Sequence, residues 1–384
     1  MAQKDLDKKA IALHKKLGGK IRIAPARAIK SKDDMSLVYT PGVAAVSSLV
    51  AKNPKLARDY TIKGKMIAVV SDGSAVLGLG NIGSLGALPV MEGKCALFKT
   101  FADVDAFPLV LDTQDPDKII EAVMAIAPAF GGINLEDIAA PKCFYIEDEL
   151  KKRLNIPVMH DDQHGTAIVV LAGLINAAKV AGKKLNDANC WMVVSGVGAA
   201  GVAIMRLIKL AAPKVNIIAV DSEGIVWEGR KGLNDTKKKL IKDKIVFAKK
   251  DGDLGHALVD ANVFIGVSKP NVLTGHMIHT MAPKPIIFAM ANPNPEVDPV
   301  VAHKAGALVV ATGRSDYPNQ INNSLAFPGI FRGALDNKVQ KITDAMKIKA
   351  AHNLAALVKH PTPAKIIPGP FESGVALAVA KAIR

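Results

Sequence analysis

Residues 193–203, VVSGVGAAGVA, constrain the fold of this chain more than any other stretch. An apolar strand runs into the triplet Gly196-x-Gly198-x-x-Gly201 and then into an amphipathic helix. The first glycine permits a tight turn, the second lets backbone N–H groups approach a pyrophosphate, and the third lets the helix lie close to the sheet. The pattern predicts a parallel α/β sheet that binds a dinucleotide at the end of this strand.

A second apolar strand supports the same interpretation. Residues 215–220, VNIIAV, end at Asp221, which is twenty positions after Gly201. An acid at this distance is placed to accept a hydrogen bond from a ribose 2′-hydroxyl. The predicted cofactor-binding residues are those of the turn together with this acid: Gly196, Val197, Gly198, Ala199, Ala200, Gly201 and Asp221.

Another glycine triplet competes with the first. Residues 78–83, GLGNIG, have the same spacing, and Asp103 follows twenty residues later. However, SDGSAV (71–76) separates this triplet from the strand at 66–70, and no second short strand ends cleanly at Asp103. We interpret the segment as a loop packed near the active site, not as a second nucleotide site.

The length of 384 residues favours two domains, and strands alternate with helices up to about residue 312. We predict a smaller α/β domain at 1–160 and a Rossmann-type, doubly wound parallel sheet with C-terminal helices at 161–384. In the first half we predict strands at 66–70, 95–101 and 107–113. A helix should follow them, with Asp115 as its N-cap and Pro116 as its first residue.

The net charge of +15 raises the question of nucleic-acid binding. The surplus lies in residues 1–30 and 230–250, each with nine Lys or Arg against two Asp, and only Phe247 interrupts them as an aromatic. We expect solvated basic faces that attract small anions and no nucleic-acid partner.

Three well-separated cysteines, Cys95, Cys143 and Cys190, lack metal-binding spacing and indicate reduced thiols in a cytoplasmic protein. The charged N-terminus lacks the apolar core of a secretory signal. The most apolar run, 190–205, is too short to span a bilayer, so we expect no membrane partner.

Acidic residues collect where predicted segments end. Glu136 and Asp137 lie in the loop NLEDI, and Asp161 and Asp162 end the apolar strand predicted at 155–162. Carboxylate pairs at two loop ends suit Mg²⁺ or Mn²⁺, which prefer oxygen ligands. The alternative is that these acids cap helices, since Asp162 precedes a helical run.

Two histidines flank the second pair of acids. His160 and His164 are four residues apart, as in a zinc-binding helix, but they follow a strand and enclose no general-base Glu. A zinc site is therefore disfavoured.

Further polar residues could take part in chemistry. Lys94 begins the strand predicted at 95–101 and is either a base near a metal or a surface lysine. Tyr39 precedes a rigid Thr-Pro-Gly turn and is either an acid or a packing residue. Asn292 ends a strand at the sheet edge where ligands bind, and Asn322 and Asn323 form another amide pair.

Eight segments taken in order resemble the short bacterial and archaeal malic enzymes over roughly residues 36–335. They are VYTPGVA, SDGSAVLGLGNIG, PVMEGKCALF, GGINLEDI, HDDQHGTA, SGVGAAG, FAMANPNPE and QINNSLAFPGIFRG. The resemblance implies oxidative decarboxylation of L-malate to pyruvate and CO₂, reduction of NAD⁺ or NADP⁺, and a requirement for Mg²⁺ or Mn²⁺. It also implies a homodimer at least.

The resemblance further implies roles for single positions. Tyr39 matches the general acid and Lys94 the general base, and Asp161 lies beside the metal ligands. The implied metal ligands are three carboxylates: Glu136, Asp137 and Asp162. The implied malate-binding amides, the first of which also adjoins the cofactor, are Asn292, Asn322 and Asn323.

Several questions stay open at this point. The segment Asp72-Gly73-Ser74-Ala75 lacks the arginine that binds a substrate carboxylate in longer relatives. Asp221 favours NAD, whereas Arg230 or Lys231 could reach the 2′-phosphate of NADP. Tyr39 and Lys94 could serve their own chain or a neighbour. The alternatives are a metal-independent Rossmann dehydrogenase for another hydroxy or amino acid, and a non-catalytic nucleotide or anion sensor.

Overall fold

Two parallel sheets organise the computed structural model, which describes residues 3–247 and 251–384. The first sheet has the order β2-β1-β3-β4 and the second the order β10-β9-β8-β5-β6-β7, with only β7 antiparallel to its neighbour. The strands are β1 Met66–Ser71, β2 Asp105–Val110, β3 Gly132–Leu135, β4 Val158–His160, β5 Trp191–Ser195, β6 Asn216–Asp221, β7 Gly224–Ile225, β8 Val263–Gly266, β9 Ile286–Ala289 and β10 Val309–Thr312.

Helices cover the two sheets and connect their strands. In chain order they are α1 Gln3–Leu17, α2 Lys32–Val38, α3 Val43–Lys52, α4 Ala57–Tyr60, α5 Gly83–Ala102, α6 Pro116–Ile126, α7 Lys142–Arg153, α8 Asp161–Ala181, α9 Ala199–Ala211, α10 Asp235–Lys242, α11 Leu254–Leu258, α12 Gly275–His279, α13 Pro299–Lys304, α14 Phe327–Asp336, α15 Asp344–Ala355 and α16 Val375–Ala380.

The largest hydrophobic core joins the two halves of the chain. It contains buried residues of β1, α5, α8, β5, α9, α14 and α15. Phe98 of α5 meets Phe327 and Phe331 of α14 edge to face, with ring centroids 4.7 and 5.6 Å apart. Burial of such aromatic pairs is a large part of core stability, so α5 is held firmly against the C-terminal helices.

The parallel α/β fold and the glycine turn confirm the sequence prediction. β5 leads through Gly196 into α9, and β6 ends at Asp221. Asp115 caps α6 by accepting hydrogen bonds from the backbone N–H groups of Asp117 at 2.9 Å and Lys118 at 3.3 Å. The division of the chain at residue 160 stays a prediction.

The strand predicted at 95–101 is wrong, because these residues form the second half of α5. Met91, Cys95, Phe98 and Ala102 are buried at helical spacing, which a strand would not produce. The next strand also lies earlier than 107–113, since β2 is Asp105–Val110.

The start of α8 also lies earlier than predicted. Of the strand predicted at 155–162, only Val158–His160 are extended, and Asp161 and Asp162 form the first turn of α8.

The N-terminal helices expose apolar side chains. In α2 and α3, which lie wholly within the described residues, no residue is buried. Leu37 is 67% exposed and Tyr39 68% exposed. Two helical stretches, 32–52 and 161–181, are apolar and long enough to span a bilayer. The first is divided at Thr40-Pro41 into α2 and α3, and 72% of the apolar window of the second is buried.

Candidate active site

Acidic side chains meet at the carboxyl edge of the first sheet. β3 and β4 are parallel neighbours, and Leu135 lies opposite His160 in their register. Glu136 and Asp161 therefore leave the sheet at equivalent positions, each directly after the last residue of its strand. This register brings together acids that are 25 residues apart in the sequence.

Three carboxylates are arranged as ligands of one cation. Glu136, Asp137 and Asp162 each offer an oxygen within 4.8 Å of the others. Glu136 and Asp137 are buried, whereas Asp162 is partly exposed. The Asp162 carboxylate also accepts a hydrogen bond from the Asp137 backbone N–H at 2.8 Å. Oxygen-only donors at this spacing fit Mg²⁺ or Mn²⁺.

Lys94 reaches the same cluster from α5 and is buried in it. Its ammonium donates hydrogen bonds to Glu136 and Asp161 and lies 4.3 Å from the centroid of the Phe327 ring. Burial alone would lower the pKa of Lys94, but Asp161, Glu136 and Asp162 together raise it well above its ordinary value. Lys94 is therefore protonated within this cluster of acids.

Burial, and to a lesser extent mutual repulsion, disfavours the charged forms of Asp161 and Glu136. Burial raises the pKa of Asp161 to about 6 although Lys94 acts against the shift. Burial likewise raises the pKa of Glu136, opposed by Lys94 and reinforced by the neighbouring aspartates. Four carboxylates surround a single ammonium, so the cluster has an excess of negative charge that a divalent cation would offset.

The three predicted amides have different surroundings. A Cβ on Gly165 would stand 1.8 Å from Asp161 Oδ1 and 3.2 Å from Asn323 Cβ, so Asn323 adjoins the acid cluster. A Cβ on Gly78 would stand 2.3 Å from the Asn292 carbonyl oxygen, so the second glycine triplet packs against Asn292. The side chain of Asn322 instead accepts a hydrogen bond from the Ser324 backbone N–H at 2.9 Å.

The glycine turn after β5 is shaped for close contact. Gly196 has a φ of +109°, and a Cβ there would stand 2.5 Å from the Val267 carbonyl oxygen. A Cβ on Gly201 would stand 1.9 Å from the Gly196 carbonyl oxygen. The Cβ position of Gly198 faces open space, and this residue is the N-cap of α9. The open helix N-terminus fits a pyrophosphate group.

The nucleotide turn adjoins the first sheet. Ala199, the first residue of α9, packs against the core cluster that contains Val70, Leu135 and Val158. The predicted cofactor site therefore lies beside the sheet whose carboxyl edge carries the acid cluster.

Asp221 forms ion pairs with two basic side chains at the predicted ribose position. Both terminal nitrogens of Arg230 donate to the Asp221 carboxylate, Nη1 at 2.9 Å from Oδ1 and Nη2 to Oδ2. Lys237 Nζ lies 2.7 Å from Asp221 Oδ2. Burial would raise the pKa of Asp221, but these hydrogen bonds lower it to about 2. Lys237 was not predicted at this position, where the sequence indicated Arg230 or Lys231. The basic run at 237–239 gave no sign that one of its lysines contacts Asp221.

Tyr39 is not brought to the cluster within one copy of the chain. It ends α2, and its side chain is two-thirds exposed. Its hydroxyl makes no hydrogen bond to any residue in 3–247 or 251–384.

The two histidines do not converge on one metal position, because His160 Nε2 lies 3.7 Å from Asp162 Oδ2 whereas His164 turns toward α7 and α15. His164 Nε2 lies 3.0 Å from Glu147 Oε2, and its Nδ1 lies 3.1 Å from Lys347 Nζ. His160 is fully buried. Glu147 and Lys347 were not predicted, since Glu147 is one of three consecutive acids at 147–149 and nothing in the sequence distinguishes it.

Comparison with known proteins gives one consistent result. Residues 18–151 match the malic enzyme N-terminal domain, and residues 163–383 match the malic enzyme NAD-binding domain. The bifunctional malic/malolactic enzyme of Bacillus subtilis is 53% identical, with 98% of this chain and 92% of the relative covered. The NAD-dependent malic enzyme of Geobacillus stearothermophilus is 52% identical, with 96% of this chain and 76% of the relative covered.

Solved structures give the same result. The crystal structure of an NAD-dependent malic enzyme from Thermotoga maritima superposes with a TM-score of 0.93 at 48% identity, and the match covers 97% of this chain and 98% of the other. The ordered motifs, the two sheets and the acid cluster beside the glycine turn therefore have one explanation: this chain belongs to the malic enzyme family.

Proposed function

We propose that this protein converts L-malate to pyruvate and CO₂ while it reduces NAD⁺ or NADP⁺, with Mg²⁺ or Mn²⁺ held by Glu136, Asp137 and Asp162. The convergence of these three oxygens beside the Lys94 ammonium, at the edge of the sheet that the glycine turn adjoins, is the observation that carries the proposal. Asn292 and Asn323 lie where they can orient a small dicarboxylate.

The chain's own groups suit the two chemical steps. When bound, the metal ion would act as a Lewis acid that draws electron density toward the C2 oxygen. Lys94, once deprotonated, accepts the C2 hydroxyl proton while hydride leaves C2 for the nicotinamide. Asp161 contacts Lys94 and stabilises its protonated form after this transfer. Tyr39 then supplies a proton to C3 after CO₂ has left.

A direct assay tests the proposal. We expect absorbance at 340 nm to rise with malate, Mn²⁺ and a nicotinamide cofactor, and EDTA to abolish the rise. Lactate should be measured beside pyruvate, because the Bacillus subtilis relative is named a malic/malolactic enzyme. Activity that survives EDTA would favour a metal-independent dehydrogenase, and cofactor binding without turnover would favour a sensor.

We propose further that the protein prefers NAD but also accepts NADP. Asp221 stands at the end of β6, where it can accept hydrogen bonds from the ribose hydroxyls. Arg230 and Lys237 give this corner a net positive charge, which reduces the repulsion of a 2′-phosphate. Relatives of both kinds are known, since the Geobacillus stearothermophilus enzyme is named NAD-dependent and the Escherichia coli enzyme NADP-dependent.

Replacing Asp221 with serine should shift this preference. Removal of the carboxylate frees Arg230 and Lys237 to bind a 2′-phosphate, so we expect the NADP/NAD ratio of kcat/KM to rise about 10- to 100-fold, or roughly 1.4–2.8 kcal/mol. Steady-state kinetics with each cofactor measures the ratio. Asp235→Ser, at an exposed acid on α10, is the control. An unchanged ratio in Asp221→Ser would contradict the proposed ribose contact.

We also propose a homodimer in which Tyr39 completes the site of the other copy. The apolar side chains of α2 and α3 are exposed in the single chain, and so is Tyr39 itself. A second copy would cover this surface, since large apolar patches mark interfaces. The proposal accounts for the separation of Tyr39 from Lys94 in one chain.

Mixed dimers of two inactive variants test this arrangement. If Tyr39 acts in trans, a dimer of Lys94→Ala and Tyr39→Phe chains has one intact site, so co-expression should restore about one quarter of wild-type activity. If both residues act in cis, no site is intact and no activity returns. Tyr39→Phe alone should slow exchange of the pyruvate C3 protons with D₂O, followed by NMR, more than it slows hydride transfer.

A further inference from the structure

A buried carboxylate that none of these steps uses lies behind the acid cluster. Glu147 of α7 is only 3% exposed. Its carboxylate accepts a hydrogen bond from the His160 backbone N–H at 2.9 Å and lies 3.0 Å from His164 Nε2. The two contacted residues, 160 and 164, flank Asp161 and Asp162 in the sequence. Glu147 therefore restrains the chain on both sides of these two acids.

The first turn of α8 needs such support. Within the described chain, the side chain of His160, the N-cap of α8, makes no capping hydrogen bond. β4 is only three residues long, so strand pairing fixes little of the backbone before the helix. Glu147 binds the last N–H before Asp161 and also contacts the fourth residue of the helix. A carboxylate from another element thus restrains both ends of this turn.

Lys347 of α15 extends the same contacts to the C-terminal helices. Its Nζ lies 3.1 Å from His164 Nδ1, and an ammonium group can only donate. Nδ1 therefore accepts, and in the neutral ring the proton lies on Nε2 and is donated to Glu147. This assignment gives an ordered chain of donors from α15 through α8 to α7.

Glu147 is also electrostatically balanced away from the cluster. Lys151, one turn later on α7, lies 2.7 Å from its other oxygen and 3.5 Å from His164 Nε2. Lys347 is paired in turn with Asp344 at 2.9 Å. Lys151 therefore balances the charge of Glu147. The hydrogen bonds of Glu147 to residues 160 and 164 fix the position of the first turn of α8.

We propose that Glu147, braced by His164 and Lys347, is a positioning residue that holds Asp161 and Asp162 in place for the metal ion and for Lys94. The inference rests on the proposed function, because it assumes that Asp162 is a metal ligand. Loss of a group that hydrogen-bonds a metal ligand directly typically changes metal affinity 10- to 100-fold, and we take this range for Glu147, which acts on Asp162 through residues 160 and 164.

The test is Mn²⁺ binding, measured without turnover. We compare Glu147→Gln with Glu149→Gln, a matched change on the same helix at a residue whose partners are the exposed Lys152 and Arg153. Electron paramagnetic resonance of free Mn²⁺ gives the Kd, fluorescence titration gives cofactor affinity, and circular dichroism gives Tm. We expect Glu147→Gln to raise the Mn²⁺ Kd about 10- to 100-fold with cofactor affinity nearly unchanged, and to lower the metal-free Tm because Lys151 loses its carboxylate partner.

Each outcome decides one question. If wild-type protein binds no Mn²⁺, the proposed function itself fails. If the wild type binds Mn²⁺ and Glu147→Gln binds it equally well, the positioning role is overturned. Parallel losses of Mn²⁺ binding and cofactor binding would show a general structural role and would also overturn it.

A second pair of variants decides the matter if Glu147→Gln does not fold. His164→Ala removes the brace, whereas His164→Gln keeps a donor near the Nε2 position. Weaker Mn²⁺ binding in His164→Ala with recovery in His164→Gln supports the proposal. Equal, wild-type Mn²⁺ binding in both variants overturns it.

Discussion

Replacing Lys94 with alanine should lower kcat for malate oxidation by a factor on the order of 10³ or more while Mn²⁺ binding persists. Removal of a general base typically costs about 10²- to 10⁴-fold. The loss should include hydride transfer itself, because the C2 hydroxyl proton then has no acceptor. Mn²⁺ binding should be retained or tightened, since the variant removes a positive charge that contacts Glu136, a proposed ligand.

This combination separates a base from a merely structural lysine. Stopped-flow absorbance at 340 nm measures hydride transfer, and Mn²⁺ titration by electron paramagnetic resonance measures the metal site. Lys99→Ala is the control, because Lys99 lies on the same helix but its side chain is 58% exposed and pairs with Asp103 and Asp105. A Lys94→Ala protein that transfers hydride at the wild-type rate would remove Lys94 from its proposed role.

The nucleotide turn could be predicted from the sequence because every signal for it is local. The strand, Gly196, Gly198 and Gly201 lie within eleven residues, and each glycine has a backbone reason that side-chain packing does not change. Asp115 was predictable on the same ground, since an N-cap and the proline after it act within one turn.

Lys94 shows where local signals fail. The run CALFKTF, which follows it, is apolar and short, and such runs do not distinguish a strand from a buried helix. The structure places it in α5 because Phe98 packs on α14, more than 220 residues later in the sequence. Only that distant contact turns Lys94 toward the acids.

Residues that act through tertiary contacts were not predictable. Lys347 meets His164 across 183 positions, and nothing near either residue indicates the pairing. Lys237 looked like one of several surface lysines until β6 and α10 brought it to Asp221. The acid cluster lies between these extremes, since its pairs were visible in the sequence but their convergence depends on the register of β3 and β4.

Replacing Asp162 with asparagine should weaken Mn²⁺ binding at least about 100-fold, because loss of a ligand should cost no less than loss of its outer partners. Asp162 is the proposed ligand best suited to this test. Its side chain is 32% exposed, and the asparagine carbonyl can still accept the hydrogen bond from the Asp137 backbone N–H. Kinetics should show a matching loss of malate turnover.

Thermal unfolding measures Mn²⁺ binding by the Asp162→Asn variant independently of the direct titration. At a Mn²⁺ concentration of 100 times the wild-type Kd, binding stabilises the wild type by about 2.7 kcal/mol, and this gain should fall to about 0.4 kcal/mol or less in Asp162→Asn. Asp148→Asn, at an exposed acid on α7, should keep the full Mn²⁺-dependent rise in Tm. A rise of wild-type size in Asp162→Asn would contradict the assignment of this ligand.

The metal-free protein provides the sharpest distinction between a ligand and a helix cap. An acid in the first turn of α8 gains about 0.3–1 kcal/mol from the helix dipole, so a simple cap would make Asp162→Asn less stable. Repulsion between two carboxylates whose oxygens lie within 4.8 Å is about 3 kcal/mol at an effective dielectric constant of about 20. This repulsion opposes both the dipole and the attraction of Asp162 to Lys94, so in EDTA we expect Asp162→Asn to melt close to the wild-type Tm. A variant destabilised in EDTA would indicate that Asp162 serves the helix, not a cation.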